Sequence, residues 1–186
     1  MGKRIPVLVI ASGGIDSTAL IHRYLSEKEV VRAIHFDYGQ PSRRSEKEAV
    51  GWICRHYKAE VIFAKLGIRM FPRGYEFLGR NALFVIAGAS MGPPPLRVSL
   101  GIHRGPEYYD VTPRFVSDMQ RVLDGYFGGT VVLEAPFLSD TKKDIVDYCK
   151  RKRVPLHMTY SCQKKNAPPC GRCPSCLDRQ RYLGSK

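Results

Sequence analysis

An α/β fold, a parallel sheet with helices on both faces, is what this sequence predicts, and three observations predict it. Apolar runs rich in β-branched residues alternate with segments of helical periodicity. The opening run is apolar throughout, as in a strand covered on both faces. The first two runs also end in polar strings, at the carboxyl edge where open parallel sheets hold their ligands.

The first strand is Ile5-Pro6-Val7-Leu8-Val9-Ile10-Ala11, and the helix behind it carries Ala19, Leu20, Tyr24 and Leu25 at helical spacing. Val30 to Phe36 reads as a second strand, ending in Asp37-Tyr38-Gly39-Gln40-Pro41. Residues 42–57 suit an amphipathic helix started by Ser42, with Glu46, Ala49, Val50, Ile53 and Cys54 at helical spacings and Trp52 and Tyr57 as packing residues. A third strand covers 60–64. Pro72, Gly74 and Gly79 mark residues 67–79 as a loop, of a length often used for lids. Gly79-Arg80-Asn81 then leads into an apolar helix over 82–90, closed by Gly92 and a run of prolines. A strand over 96–102 ends at His103, an irregular loop follows to Pro113, helix signals return over 113–123, and a further strand covers 130–134. Thr141 and Asp144 stand at capping-box spacing before a helix carrying Ile145, Val146, Tyr148 and Cys149, with Asp in place of the usual Glu or Gln.

With 186 residues the chain suits one domain with a well-buried core. No apolar run approaches the roughly 20 residues that span a bilayer, so no membrane is expected. Met1-Gly2-Lys3-Arg4 leads straight into the first strand, too soon for a signal peptide, and a cytoplasmic location is the expectation. The net charge of +13 attracts polyanions, which keeps nucleic acid open as a partner, although small anionic ligands gain from the same field. The dense run Lys150-Arg151-Lys152-Arg153 sits at a helix end, where cations complement the dipole and solvation alone accounts for it equally well.

Two segments carry chemistry. In Ser12-Gly13-Gly14-Ile15-Asp16-Ser17-Thr18 the glycines let the backbone bend so that several N–H groups converge, and the helix N-terminus adds its positive dipole end. Steric need in a tight turn is the plainer reading of the glycines. The hydroxyls of Ser12, Ser17 and Thr18, which can donate to phosphate oxygens, and Asp16, which can hold a divalent cation, favour an anion site. It is not a Walker loop, which ends in Gly-Lys-Ser/Thr. The second segment is the tail. Cys54 and Cys149 lie within helices and read as buried thiols, whereas Cys162, Cys170, Cys173 and Cys176 form C-x7-C-x2-C-x2-C. With no export signal, paired disulfides are disfavoured against a four-thiolate metal site, either zinc or an iron–sulfur cluster. Such a closed site is structural, and it can bring residues 155–160 and Arg172, Arg179 and Arg181 towards the active face.

The glycine string resembles the PP-loop of the ATP pyrophosphatase superfamily, whose members cleave ATP between the α- and β-phosphates and adenylate a carboxylate or carbonyl oxygen. Together with Phe36-Asp37-Tyr38-Gly39-Gln40, Gly79-Arg80-Asn81 and the tail from Ser161-Cys162 to Cys170-Gly171-Arg172-Cys173-Pro174-Ser175-Cys176, it resembles the 7-cyano-7-deazaguanine synthase (QueC) family. The resemblance implies a Rossmann-like sheet of the adenine nucleotide alpha hydrolase (HUP) type. It divides the chain into a nucleotide-binding domain, 1–160, and a zinc-binding tail, 161–186, packed on the same domain. It implies that 7-carboxy-7-deazaguanine, ammonia and ATP yield the 7-cyano base through adenylated carboxylate and amide, in a homodimer using Mg²⁺ and Zn²⁺. ATP would lie against Ala11, Ser12, Gly13, Gly14, Ile15, Asp16, Ser17, Thr18, Asp37, Tyr38 and Gln40. Catalysis would fall to Ser12, Asp16, Ser17, Arg80 and Asn81, and the zinc to Cys162, Cys170, Cys173 and Cys176.

The loop after His103 departs from the family's Asp-Tyr-Ser-Gly-Tyr-Pro-Asp-Cys-like string. It reads Gly105-Pro106-Glu107-Tyr108-Tyr109-Asp110-Val111-Thr112-Pro113, with Val111 in place of the cysteine. A carboxylate suits the N–H donors of a deazapurine and a tyrosine can stack on it, so Arg80, His103, Glu107, Tyr108, Tyr109 and Asp110 are the candidate substrate residues. Two alternatives accompany this reading: the same adenylation with the acid joined to another amine on a protein or nucleic acid, and a non-catalytic nucleic-acid-binding zinc module.

Overall fold

The structure, a computed structural model, describes residues 5–68, 72–73, 76–94, 96–106 and 108–184. Its elements run β1 (Val7–Ile10), α1 (Ile15–Ser26), β2 (Val31–Asp37), α2 (Arg43–Tyr57), β3 (Glu60–Lys65), a two-residue antiparallel pair β4 (Pro72–Arg73) and β5 (Glu76–Phe77), and α3 (Arg80–Ser90). Then come β6 (Leu96–Leu100), α4 (Pro113–Phe127), β7 (Val131–Glu134), α5 (Lys142–Arg151) and α6 (Pro174–Leu183). Short 3₁₀ turns at Tyr109–Val111 and Leu156–Met158 precede α4 and the tail.

The five long strands form one parallel sheet in the order β3-β2-β1-β6-β7. This is the expected α/β fold, and β1 is its hinge of topology. The chain leaves β1 towards β2 and β3 on one side, then returns to lay β6 and β7 on the other. The crevice beyond the ends of β1 and β6 is therefore the switch point, open for a ligand.

Side-chain alternation along β1 separates two cores. Val7 and Val9 face α1, α2 and α5, packing with Leu20, Ile53 and Ile145, whereas Leu8 and Ile10 face α3 and α4, packing with Phe84, Val85 and Phe115. The four residues of β1 are all buried, which is why its sequence shows no polar alternation. β6 departs from that pattern on the α1 side, where Arg97 and Ser99 meet polar partners. Tyr24 of α1 donates to Glu134 and lies 3.0 Å from Ser99 Oγ, while Arg97 reaches Glu29 at 3.2 Å. Burial, seconded by the Glu134 carboxylate, holds the Tyr24 phenol well above the usual tyrosine range, so it stays a donor.

Helix ends show where local sequence sufficed. Thr112 accepts from Phe115 N at 3.1 Å with Pro113 in the first turn, and Thr141 and Asp144 close a full capping box. Ser42 differs from expectation. Its hydroxyl goes to Glu46 at 2.6 Å, and the first turn of α2 is capped instead by Asn166 of the tail, whose Oδ1 accepts from Arg44 N at 3.0 Å and Ser45 N at 3.1 Å. Arg80 and Asn81 likewise lie inside the first turn of α3 rather than before it. Trp52, expected in packing, stands half-exposed on α2 at 49%. Residues 150–153 are exposed at the end of α5, as a solvated helix end predicts.

Gly101, just past β6, fixes how closely that strand end approaches α1. A Cβ there would stand 3.1 Å from Asp16 C and from Ser17 N. The neighbours are backbone, with no flexible tip to yield, so Gly101→Ala is expected to destabilise the fold by about 1–3 kcal/mol. Urea denaturation checks it, and an unchanged midpoint would show that the contact between the end of β6 and α1 has slack.

Candidate active site at the switch point

A cleft of about 300 Å³ opens at the switch point. It is lined by the glycine loop, the ends of β2 and β6, the first turn of α3, the start of α5 and the tail.

The loop is built by close approach. Gly13 adopts φ +75°, and a Cβ on it would fall 2.9 Å from both Ala49 Cβ and Glu46 O, so the turn lies flat against α2. Its carbonyl accepts from Tyr160 N at 2.8 Å, which ties the incoming tail to the loop. Gly14 is the N-cap residue of α1, and no side chain caps that end, leaving the first-turn N–H groups directed at the cleft mouth. Ala11, Ser12, Gly14, Ile15, Asp16 and Ser17 line the cleft, while Gly13 and Thr18 do not. Thr18 is fully buried and its hydroxyl donates back to Gly14 O at 2.8 Å, so the expected phosphate donor is spent within the helix. Ser17 also donates to Gly14 O, at 3.2 Å, and lies 3.4 Å from Ser12 Oγ.

Asp16 faces a partner that sequence reasoning missed. Lys142, the first residue of α5, places Nζ 2.7 Å from Oδ1 and 2.5 Å from Oδ2 of Asp16, with both side chains largely buried. The capping box at Thr141 and Asp144 fixed the helix start, and with it the position of this lysine. Nothing local said which helix start would meet α1.

The second-strand string divides. Tyr38 is buried, lines the cleft and packs against Phe84 and Phe77, with the Arg80 guanidinium beside it. Burial raises its phenol above the ordinary tyrosine value. Asp37 and Gln40 stand outside the lining, and the nucleotide contacts expected of their side chains are not where they point. Asp37 Oδ1 accepts from Gly39 N at 2.9 Å. Gln40 accepts from Tyr38 N at 3.0 Å and donates to Phe36 O at 3.1 Å and Glu46 at 2.8 Å. Both build the turn that delivers Tyr38.

Arg80 lines the cleft half-buried, its Nε and Nη2 each 3.4 Å from Asn81 Oδ1. Asn81 donates in turn to Asp110 O at 3.2 Å. Asp110 is buried beneath this pair and outside the lining, and burial raises its carboxyl above the ordinary range while the Arg80 charge opposes the rise. Among the other candidate substrate residues, His103 and Tyr108 line the cleft. Tyr109 turns away, donating to Asp118 at 2.6 Å on the surface. Glu107 lies outside the described residues. Among its described residues the loop therefore offers Pro106, Tyr108 and Val111 to the cleft, whereas Asp110 and Tyr109, also expected there, lie outside the lining.

The tail supplies the remaining wall through Tyr160, Ser161, Gln163, Ser175, Asp178 and Arg179. Arg179 donates to Thr159 Oγ1 at 2.7 Å and Leu156 O at 3.0 Å, and burial lowers its pKa. It was foreseen near the active face; Arg172 and Arg181 are exposed. The Sγ atoms of Cys162, Cys170, Cys173 and Cys176 all lie within 4.8 Å of one another, with Cys170 and Cys176 4.0 Å apart. A tetrahedral thiolate site with bonds of about 2.3 Å puts its sulfurs about 3.8 Å apart, so this cluster can hold a metal ion. Within the cluster the shifts diverge: the Arg172 N–H draws the Cys170 thiol down to about 6, whereas burial pushes Cys176 up to about 12. Burial likewise pushes Cys54 up to about 11 and Cys149 to about 12, and it is the clustering of the four sulfurs that sets the tail apart. α6, which carries Ser175, Asp178 and Arg179, was not read from the sequence. Pro174 in its first turn was the available signal.

Comparison with known proteins identifies the family. The family model described as Queuosine biosynthesis protein QueC matches residues 6–73 and 78–185. A 7-cyano-7-deazaguanine synthase of Rhizobium meliloti (strain 1021) is 31% identical, the match covering 93% of this chain and 85% of that protein. Its counterpart in Aquifex aeolicus (strain VF5) is 29% identical over 98% of both chains. A solved structure from Methanocaldococcus jannaschii, described as a predicted subunit of tRNA methyltransferase, superposes with a TM-score of 0.52 over 84% of this chain and 92% of that one. At 12% identity that likeness concerns the fold alone. From the glycine loop to the cysteine cluster, then, the chain belongs to the QueC family.

Proposed function

We propose that this chain converts 7-carboxy-7-deazaguanine, ammonia and ATP into 7-cyano-7-deazaguanine. The observation that carries the proposal is the meeting, at the switch point, of an α1 N-terminus with no side-chain cap and the Lys142 ammonium. That pair suits a pyrophosphate leaving group, and the family relationship supplies the acid.

A carboxylate is a poor electrophile because oxide would have to leave. One carboxylate oxygen attacks the α-phosphorus of ATP, the bond to the bridging oxygen breaks and pyrophosphate departs. Ammonia attacks the acyl carbon, the C–O bond breaks, AMP leaves and a proton is released, giving the amide. The amide oxygen then attacks a second ATP with loss of an N–H proton. Breaking the remaining C–O bond as the last N–H proton leaves gives the nitrile and a second AMP.

In this reading the N–H groups of the α1 first turn, with the Ser12 and Ser17 hydroxyls, hold the phosphates, and Tyr38 lies against the nucleoside. Arg80 faces the activated carboxylate, positioned by Asn81, and Tyr108 and His103 contact the base. Asp16 would hold Mg²⁺, which would supply positive charge to favour the departing pyrophosphate. Lys142 then exchanges Asp16 for the phosphates, a lysine in the role the Walker loop fills from within its own motif. The four cysteines would hold zinc, which would serve a structural role. A homodimer belongs to the proposal on family grounds.

Lys142→Met is expected to lower kcat/KM by about a hundredfold, the scale for losing one electrostatic contact to a transition state, and to lower the melting temperature by leaving the Asp16 carboxylate unpaired. Turnover close to that of the parent chain would remove Lys142 from the reaction. Incubation with ATP, Mg²⁺, ammonium and the acid should give nitrile by mass, with two AMP for each nitrile and amide accumulating when ATP is limiting. ATP turnover indifferent to the acid would overturn the assignment. Metal analysis of the purified protein should find zinc without iron, and an iron–sulfur absorbance spectrum would refute zinc.

A further inference from the structure

We propose that Arg179 binds an anionic oxygen group inside the cleft and that the four-cysteine cluster exists to hold it there. Cys173 is the N-cap residue of α6 and Cys176 lies in its first turn, so two of the four thiolate positions fix where this helix begins. Arg179 follows Cys176 by three residues, on the same side of the helix, and lines the cleft. The cluster and the guanidinium thus move as one piece.

Its hydrogen bonds are those of a positioned but unspent cation. Nη1 donates to Thr159 Oγ1 at 2.7 Å and Nη2 to Leu156 O at 3.0 Å. Those use two of the five N–H donors of a guanidinium, and both acceptors are neutral. Among the described residues no carboxylate lies within ion-pair distance of Arg179, not even Asp178 beside it on α6, which also lines the cleft. The other cations of the cleft differ: Lys142 is paired with Asp16, and Arg80, though without an ion pair among the described residues, interacts with the Asp110 charge at longer range. Taking a charge partly out of water without a counter-charge is unfavourable, and an anion arriving with the substrates offsets that cost. Arg172 and Arg181, on the same tail, remain in solvent and bear no such cost.

Two anionic groups enter the cleft in the reading above, on which this inference rests: the phosphates of ATP and the carboxylate of the acid. Calorimetric titration of the metal-loaded protein with α,β-methylene ATP and, separately, with 7-carboxy-7-deazaguanine distinguishes them. Arg179→Met, which keeps the apolar stem, should weaken one of the two by about 10- to 100-fold, the range for a lost charge-assisted hydrogen bond. Arg179→Lys should recover part of the loss, and Arg181→Met, an equal change of charge, should bind both as the parent chain does. Metal content and melting temperature should hold throughout. Unchanged affinity for both ligands in Arg179→Met overturns the proposal, as does a loss that follows falling metal content in the Met and Lys variants alike, the mark of a strut. Should the acid fail to bind even the parent chain, the substrate assignment fails alone, and the nucleotide titration still decides the role of Arg179.

Discussion

The way the chain leaves β1 constrains everything around the cleft. Gly13 turns with positive φ against α2 so tightly that no side chain fits, and Gly101 brings the end of β6 equally close to the first turn of α1. Between those two contacts the N-terminus of α1 has one allowed position, facing the gap left by the reversal of strand order. The hydrogen bond from Tyr160 N to Gly13 O then draws the tail over the same point. A parallel sheet provides the gap, but these near-contacts decide that a helix end, rather than a side chain, looks into it.

That geometry sets the charge arrangement. Helix dipole and uncapped N–H groups favour anions, yet Asp16 sits in the first turn and would repel one if left alone. Lys142 neutralises it within a largely buried pair. Such a pair contributes little net stability, because desolvation of both ions offsets most of their attraction. Its value is elsewhere: the ammonium is held in the lining of the cleft, beside the first turn of α1. The net charge of +13, which alone pointed equally to nucleic acid and to small anions, is in the cleft resolved into Lys142, Arg80 and Arg179.

Local signals in the sequence accounted for most of the frame. β1 was legible because it is buried on both faces, α5 because its capping box is complete within four residues, and the glycine loop because its turn needs residues that announce themselves. What escaped depended on contacts between distant segments. Ser42 has the right chemistry for a cap, but Asn166, more than a hundred residues away, takes the position. Asp37 and Gln40 belong to a motif that faces the site, yet their polar atoms close the turn itself, and only Tyr38 is delivered. Lys142 could be placed at a helix start and still not be assigned to Asp16, since strand order, not sequence order, puts α5 beside α1. In the loop after His103, the family resemblance and carboxylate chemistry suggested acids for the base, whereas Asp110 lies buried under Asn81 and Arg80.

The tail is where local and distant contacts combine. Its cysteines were legible as a cluster, but a cluster alone does not say what it stabilises. Five contacts answer that: Tyr160 to Gly13, Asn166 to the α2 first turn, Ala167 N to Ser45 Oγ at 2.9 Å, Arg179 to Thr159 and Leu156, and Lys150 to Tyr182 O at 2.9 Å. Each is a single hydrogen bond or a pair, worth roughly 1 kcal/mol apiece, too little to order a segment with so few apolar residues in its core. A metal at the four thiolates closes the segment covalently and lets those weak contacts act together. With the metal bound, the last wall of the cleft would be held rigid, although it contains no strand. Precise placement of a cation such as Arg179 requires that rigidity, because a guanidinium on a loose tail would spend its attraction for an anion on ordering the chain that carries it.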